Sequence, residues 1–136
     1  MKSKILILQG PNLNLIGLKS IKTGSRITLD KINRTLRKKA RALSVELKIL
    51  QTNEEGIAIN FLQRNRNKAS GILIYPGPWQ AGGFSLQDTL AILAIPYVTI
   101  SRGKEVQLLR GFENIIGKEL LSAGEKGLEL LVNQVD

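Results

Sequence analysis

Three short polar segments carry the side chains best suited to chemistry, and each follows an apolar run. Gly10-Pro11-Asn12-Leu13-Asn14 follows Ile5 to Leu8, Pro76-Gly77 follows Gly71 to Tyr75, and Ser101-Arg102 follows Pro96 to Ile100. Glycine lets a backbone approach a ligand closely, and an asparagine amide both donates and accepts hydrogen bonds. A fourth segment, Gly17 to Arg26, holds Lys19, Lys22 and Arg26 with no acid, the composition of a lid over an anionic ligand or of a solvated connection. Together these residues point to a small anion held by amides and cations. A strand followed by an ordinary turn is the competing reading of the first segment. The chain has no histidine and no cysteine, which removes the commonest general acid/base, the commonest metal ligand and all thiol chemistry.

The 136 residues are 43% hydrophobic and 23% charged, which suits a single domain over 1–136 with a sizeable core. The absence of cysteine fits a cytoplasmic protein. The first apolar run is too short for a signal peptide or a membrane span, so no membrane role is expected. A formal charge of +9 favours anionic partners.

The elements that must position these residues alternate. Ile5 to Leu8 is too short for a helix and reads as a strand buried on both faces. Thr28 caps a helix to about Leu43, with Leu29, Ile32, Leu36, Ala40 and Leu43 inward. Its other faces are basic, a pattern that meets nucleic acid or membrane lipid or, most often, simply faces water. The chain has no aromatics interleaved with these cations for stacking on bases, so nucleic acid is not the expected partner. Val45 to Leu50 is the second strand. A helix over Glu54 to Arg66 directs Ile57, Phe61 and Leu62 inward. Gly71 to Tyr75 is the third strand, and Trp79 to Gly83 a flexible loop. Ser85 caps a helix through Ala94, with Asp88 three residues on. Pro96 to Ile100 is the fourth strand, and Glu105 to Arg110 fits a helical turn or a strand equally. Lys118 to Ser122 is expected as the fifth strand and Gly124 to Val135 as the last helix.

This order predicts an α/β, flavodoxin-like three-layer sandwich: a five-stranded parallel sheet in the order 2-1-3-4-5 with helices on both faces. The order reverses between the first and third strands, where open sheets bind ligands. Asn12, Asn14, the 18–26 loop, Tyr75 to Gly77 and Ser101-Arg102 would then meet at one crevice.

The segment Ile-Leu-Gln-Gly-Pro-Asn-Leu-Asn-Leu-Ile-Gly ending at Gly17 resembles the opening signature of type II 3-dehydroquinate dehydratases. Thr28 to Ile32, Gln51 to Gly56, Gly71 to Trp79, Leu86 to Leu90 and Ile95-Pro96 resemble that family's later motifs. The resemblance implies a flavodoxin-like fold, a homo-oligomer built of trimers up to a dodecamer, and removal of water from 3-dehydroquinate, a shikimate-pathway step, without metal or nucleotide. It also implies a mechanism. A lid tyrosine beside an arginine takes a proton next to the ketone, and a water held by the asparagine of Gly-Pro-Asn steadies the enolate. A histidine held by a glutamate then protonates the departing hydroxyl.

Carried over position by position, only the asparagine is kept outright, as Asn12. The lid arginine falls at Lys19, and the lid tyrosine at Thr23 or Gly24. The substrate asparagine before Pro-Gly is Tyr75, a binding histidine falls at Ala81, and the Glu-x-His pair falls among Thr99, Ile100 and Ser101. A late substrate arginine corresponds to Arg110. Pro11, Lys19, Gly77, Asp88, Ser101, Arg102 and Arg110 are the ligand-binding set so implied. Each positioned acid or base is worth roughly 10²- to 10⁴-fold in rate, so loss of both predicts a chain with impaired or absent dehydration. The alternative is a relocated base: Tyr75, its pKa lowered by Lys19, Lys22 or Arg102. Otherwise Tyr75 and Trp79 are aromatics filling a pocket.

Overall fold

The computed structural model describes residues 3–21, 26–103, 107–117 and 119–135. Strands β1 (Lys4–Gln9), β2 (Glu46–Gln51), β3 (Gly71–Tyr75), β4 (Tyr97–Ser101) and β5 (Glu113–Ile116) form one sheet in the order β2-β1-β3-β4-β5, as the alternation predicts. Every pairing is parallel, and Ile7 of β1 lies opposite Ile49 on one side and Leu73 on the other. The central strands are covered on both faces, which is why β1 and β3 are continuous apolar runs and β2, at the edge, is not.

Strand periodicity divides the core. Ile5, Ile7, Leu73 and Val98 face α2 (Leu29–Leu43) and α6 (Leu120–Val135), meeting Ile32, Leu36, Leu128 and Leu131. Leu6, Leu8, Ile72 and Ile74 face the opposite way, against α3 (Glu55–Asn65) and α5 (Phe84–Leu93). Two short helices complete the chain, α1 (Ile16–Ser20), entered through a 3-10 turn at Leu13–Leu15, and α4 (Trp79–Gly82). Helix α2 begins as its sequence predicts: the Thr28 hydroxyl accepts from the Lys31 N–H at 3.2 Å.

Several expectations are corrected. The fifth strand is Glu113–Ile116 rather than 118–122, and α6 starts at Leu120 instead of Gly124. The Glu119 carboxylate accepts from the Leu121 N–H at 2.9 Å and so caps a helix earlier than the apolar spacing suggests. Residues 79–82 are α4, not a loop, because the Trp79 N–H donates to the Pro76 carbonyl and its indole is buried. Ser85 does not cap α5. Gly83 precedes that helix, and the Leu86 N–H is met by Glu55 Oε2 of α3 at 2.8 Å. Ile57 is 45% exposed while Ala58 and Leu62 point inward. Of the ambiguous 105–110 stretch, 105 and 106 lie outside the described residues. The rest is irregular and clamped by Gln80, which bonds both backbone groups of Leu109.

Candidate functional site: a crevice at the sheet's switch point

The ends of β1 and β3 approach so closely that a Cβ on Gly10 would stand 2.7 Å from the Pro76 carbonyl oxygen. The Gly10 N–H donates instead to the Tyr75 carbonyl at 2.8 Å, and the chain turns out of the sheet. Asn12 takes a left-handed conformation (φ 70°), one that asparagine adopts more readily than most side chains. Two residues at the end of β2 brace this turn. Asn53 Oδ1 accepts from the Asn12 N–H at 3.0 Å, and Gln51 Nε2 donates to the Gly10 carbonyl at 3.1 Å. Gly77, also left-handed at φ +53°, turns the end of β3.

These turns open onto a crevice of about 550 Å³, a volume typical of small-molecule sites. Pro11, Asn12, Lys19, Tyr75, Gly77, Ser101 and Arg102 all line it, so seven residues singled out from sequence come together here. Asp88 and Arg110 do not. Asp88 is exposed on α5, and Arg110 lines a separate groove with Gln87 and Tyr97, its guanidinium donating to the Gln107 carbonyl. Lys22, Thr23 and Gly24 of the expected lid lie outside the described residues. Ala81 is exposed on α4, and the Thr99 hydroxyl is occupied in donating to Asn114 Oδ1 at 2.7 Å.

Lys19 and Arg102 are the charged groups among the described lining residues, and no acid faces them there. Ser101 is only 6% exposed, and its hydroxyl has no hydrogen-bond partner among the described residues. Tyr75 corrects an expectation. Its side chain is 3% exposed, its hydroxyl is likewise unpartnered, and a Cβ on Gly124 of α6 would lie 2.7 Å from that oxygen. The ring therefore runs beneath α6, where burial pushes the phenol's pKa up, and among the described residues no cation offsets it. Trp79 packs on the other face of the sheet, against Gly10.

Apart from Leu18, which belongs to the 18–26 stretch expected at the crevice as a loop and found on α1, the sequence did not single out the apolar walls. Leu13, Leu15, Ile16 and Leu18 come from the 3-10 turn and α1, Ile100 from β4, and Leu120 from the first turn of α6. Leu120 was hidden because the 118–122 stretch reads as a strand. A signal for Gln51 and Asn53 was present: both are amides at the end of the strand beside β1.

Residues 3–105 match the family model described as Dehydroquinase class II. This chain belongs to the class II dehydroquinase family. Over 97 residues it is 41% identical to a 3-dehydroquinate dehydratase of Roseiflexus castenholzii, covering 71% of this chain and 62% of that relative. Over 96 residues it is 36% identical to one from Trichodesmium erythraeum, covering 71% and 64%. The chain thus spans less than two thirds of these relatives' lengths. The crystal structure of a type II dehydroquinase from Propionibacterium acnes superposes with a TM-score of 0.86 at 22% identity, covering 98% of both chains, and so shares its fold. The dehydroquinase match stops at residue 105, before Arg110, β5 and α6.

Proposed function

We propose that this dehydroquinase-family chain keeps the ligand crevice of the scaffold but not the proton-transfer groups for dehydration, and serves as a binding protein for a small anion. The observation carrying this reading is the protonation chemistry of the described crevice. Lys19 and Arg102 bring positive charge, the buried Tyr75 phenol is held neutral, and the chain contains no histidine to act as the acid. Asn12 remains, its backbone fixed by Asn53. Asp88 and Arg110 enter such a site only where a neighbouring subunit brings them, because within one chain both lie elsewhere.

Purified protein mixed with 3-dehydroquinate, followed by the conjugated enone of the dehydrated product, tests the reading. We expect no turnover, and rates typical of enzymes would overturn it. The names of the relatives favour a second reading, an active dehydratase, which the same assay would establish.

Self-assembly is the other part of the proposal. Phe84 and Ile92 of α5 are 65% and 73% exposed, and α5 packs beside α3, which exposes Ile57. Such an apolar face suits contact with a second copy. Among the described residues no helix is long and apolar enough to cross a membrane.

A further inference from the structure

We propose that the outer face of α2 docks on double-stranded DNA, holding the phosphate backbone without reading its sequence. Four cations with no acid to answer them carry the inference. Six of the 15 residues of α2 are Lys or Arg, and one, Asp30, is acidic. Among the described residues Asp30 pairs with Arg34 at 3.0 Å and Glu129 of α6 pairs with Lys39. Lys31, Arg37, Lys38 and Arg41 stand exposed and enter no ion pair there. Like charges three or four positions apart on a helix repel, and Arg37 and Lys38 both stand at that spacing from Arg34 and from Arg41. A bound polyanion replaces this repulsion with attraction.

Placement makes a surface of these charges. Ile32, Leu36 and Ala40, at most 3% exposed, fix the opposite side of α2 in the core. Helical periodicity then sets Lys31, Lys38 and Arg41 in a row pointing away from the sheet, with Arg37 beside it. The row spans about 15 Å at the rise of an α-helix, and it stands on a packed element whose first turn Thr28 caps. Each strand of a duplex carries a phosphate about every 3.4 Å of axis, so a row of this length meets several. The lack of interleaved aromatics weighs against unpaired bases, which are held by stacking; a duplex is held through its phosphates. Two other polyanions fit less well. A helix lying on a membrane sinks its apolar face into lipid, and here that face is used in the core. Double-stranded RNA has a major groove too deep and narrow for side chains, whereas that of DNA admits a helix.

Fluorescence anisotropy of the full chain with a labelled DNA duplex of about 20 base pairs, across about 50 to 200 mM salt, tests the inference. We expect binding at low salt whose logarithm falls against that of salt with a slope of about −3 to −4, the value for four phosphate contacts. Joint replacement of Lys31, Lys38 and Arg41 by Gln should weaken binding at least tenfold and flatten the slope by about 2 or more. Arg41→Glu alone, a milder change, should weaken it at least threefold. The same loss of charge on the opposite layer, Arg64, Arg66 and Lys68 to Gln, should cost less than threefold. Circular dichroism checks that each variant keeps its fold. Equal losses from the two triple variants would reduce the effect to net charge and overturn the inference. So would no binding at low salt, equal affinity for an RNA duplex of the same sequence, or capture by phosphatidylglycerol vesicles without binding to DNA. None of these outcomes bears on the crevice, so the reading of that site stands or falls separately.

Discussion

At the scale of single residues, Tyr75 decides most. Its hydroxyl lies buried without a partner among the described residues, so the desolvation of that group has no hydrogen bond there to offset it. Tyr75→Phe removes the oxygen and leaves the ring. We expect stability at neutral pH to stay level or rise by about 1 kcal/mol, read from chemical denaturation. The pH dependence has a definite sign. The unfolded phenol ionises near its ordinary value of 10, whereas burial holds the folded one above it. The unfolded state therefore loses its proton first, and stability present below about pH 10 is lost as pH rises beyond it. Melting temperatures across that range should fall more steeply for the parent than for Tyr75→Phe. Part of the fall should remain, because burial also raises the pKa of Tyr97, the second tyrosine.

Elements show why some of this was legible and some was not. The parallel order and the meeting of Asn12, Lys19, Tyr75 and Ser101 followed from strand runs, glycine-proline stops and helical spacing, all local signals. The start of α6 did not, because glycines at 124 and 127 look like breakers in isolation. Within the fold they are contact points. A Cβ on Gly127 would come within 2.6 Å of Leu73, and one on Gly124 would meet Tyr75 and Leu36. Gly124→Ala should therefore destabilise by about 1–3 kcal/mol despite its better helix propensity. In the Tyr75→Phe background that loss should shrink, since the nearest atom is gone; strict additivity in a double-mutant cycle would contradict the packing described. Capping across elements was equally invisible. Glu55 of α3 serves α5, so Glu55→Ala should cost about 1 kcal/mol by denaturation, although no residue local to α5 changes.

For the whole molecule, a formal charge of +9 and an apolar α5 face act in opposite directions. Repulsion between like-charged copies weakens as salt screens it. Light scattering should show association that strengthens with ionic strength, and Phe84→Glu with Ile92→Glu should leave a monomer with an unchanged circular dichroism spectrum. The charge is unevenly spread: Lys31, Arg37, Lys38 and Arg41 stand exposed along α2, and Arg34 pairs with Asp30 at 3.0 Å.

The crevice draws its walls from residues 11 to 19, 75 to 78, 100 to 102 and 120. Any molecule lodged there bridges residues 11 to 19 and residue 120, about a hundred positions apart in sequence, so it binds the assembled fold and not its separated segments. Occupancy would therefore stabilise the folded chain by mass action, in proportion to how far the ligand exceeds its dissociation constant.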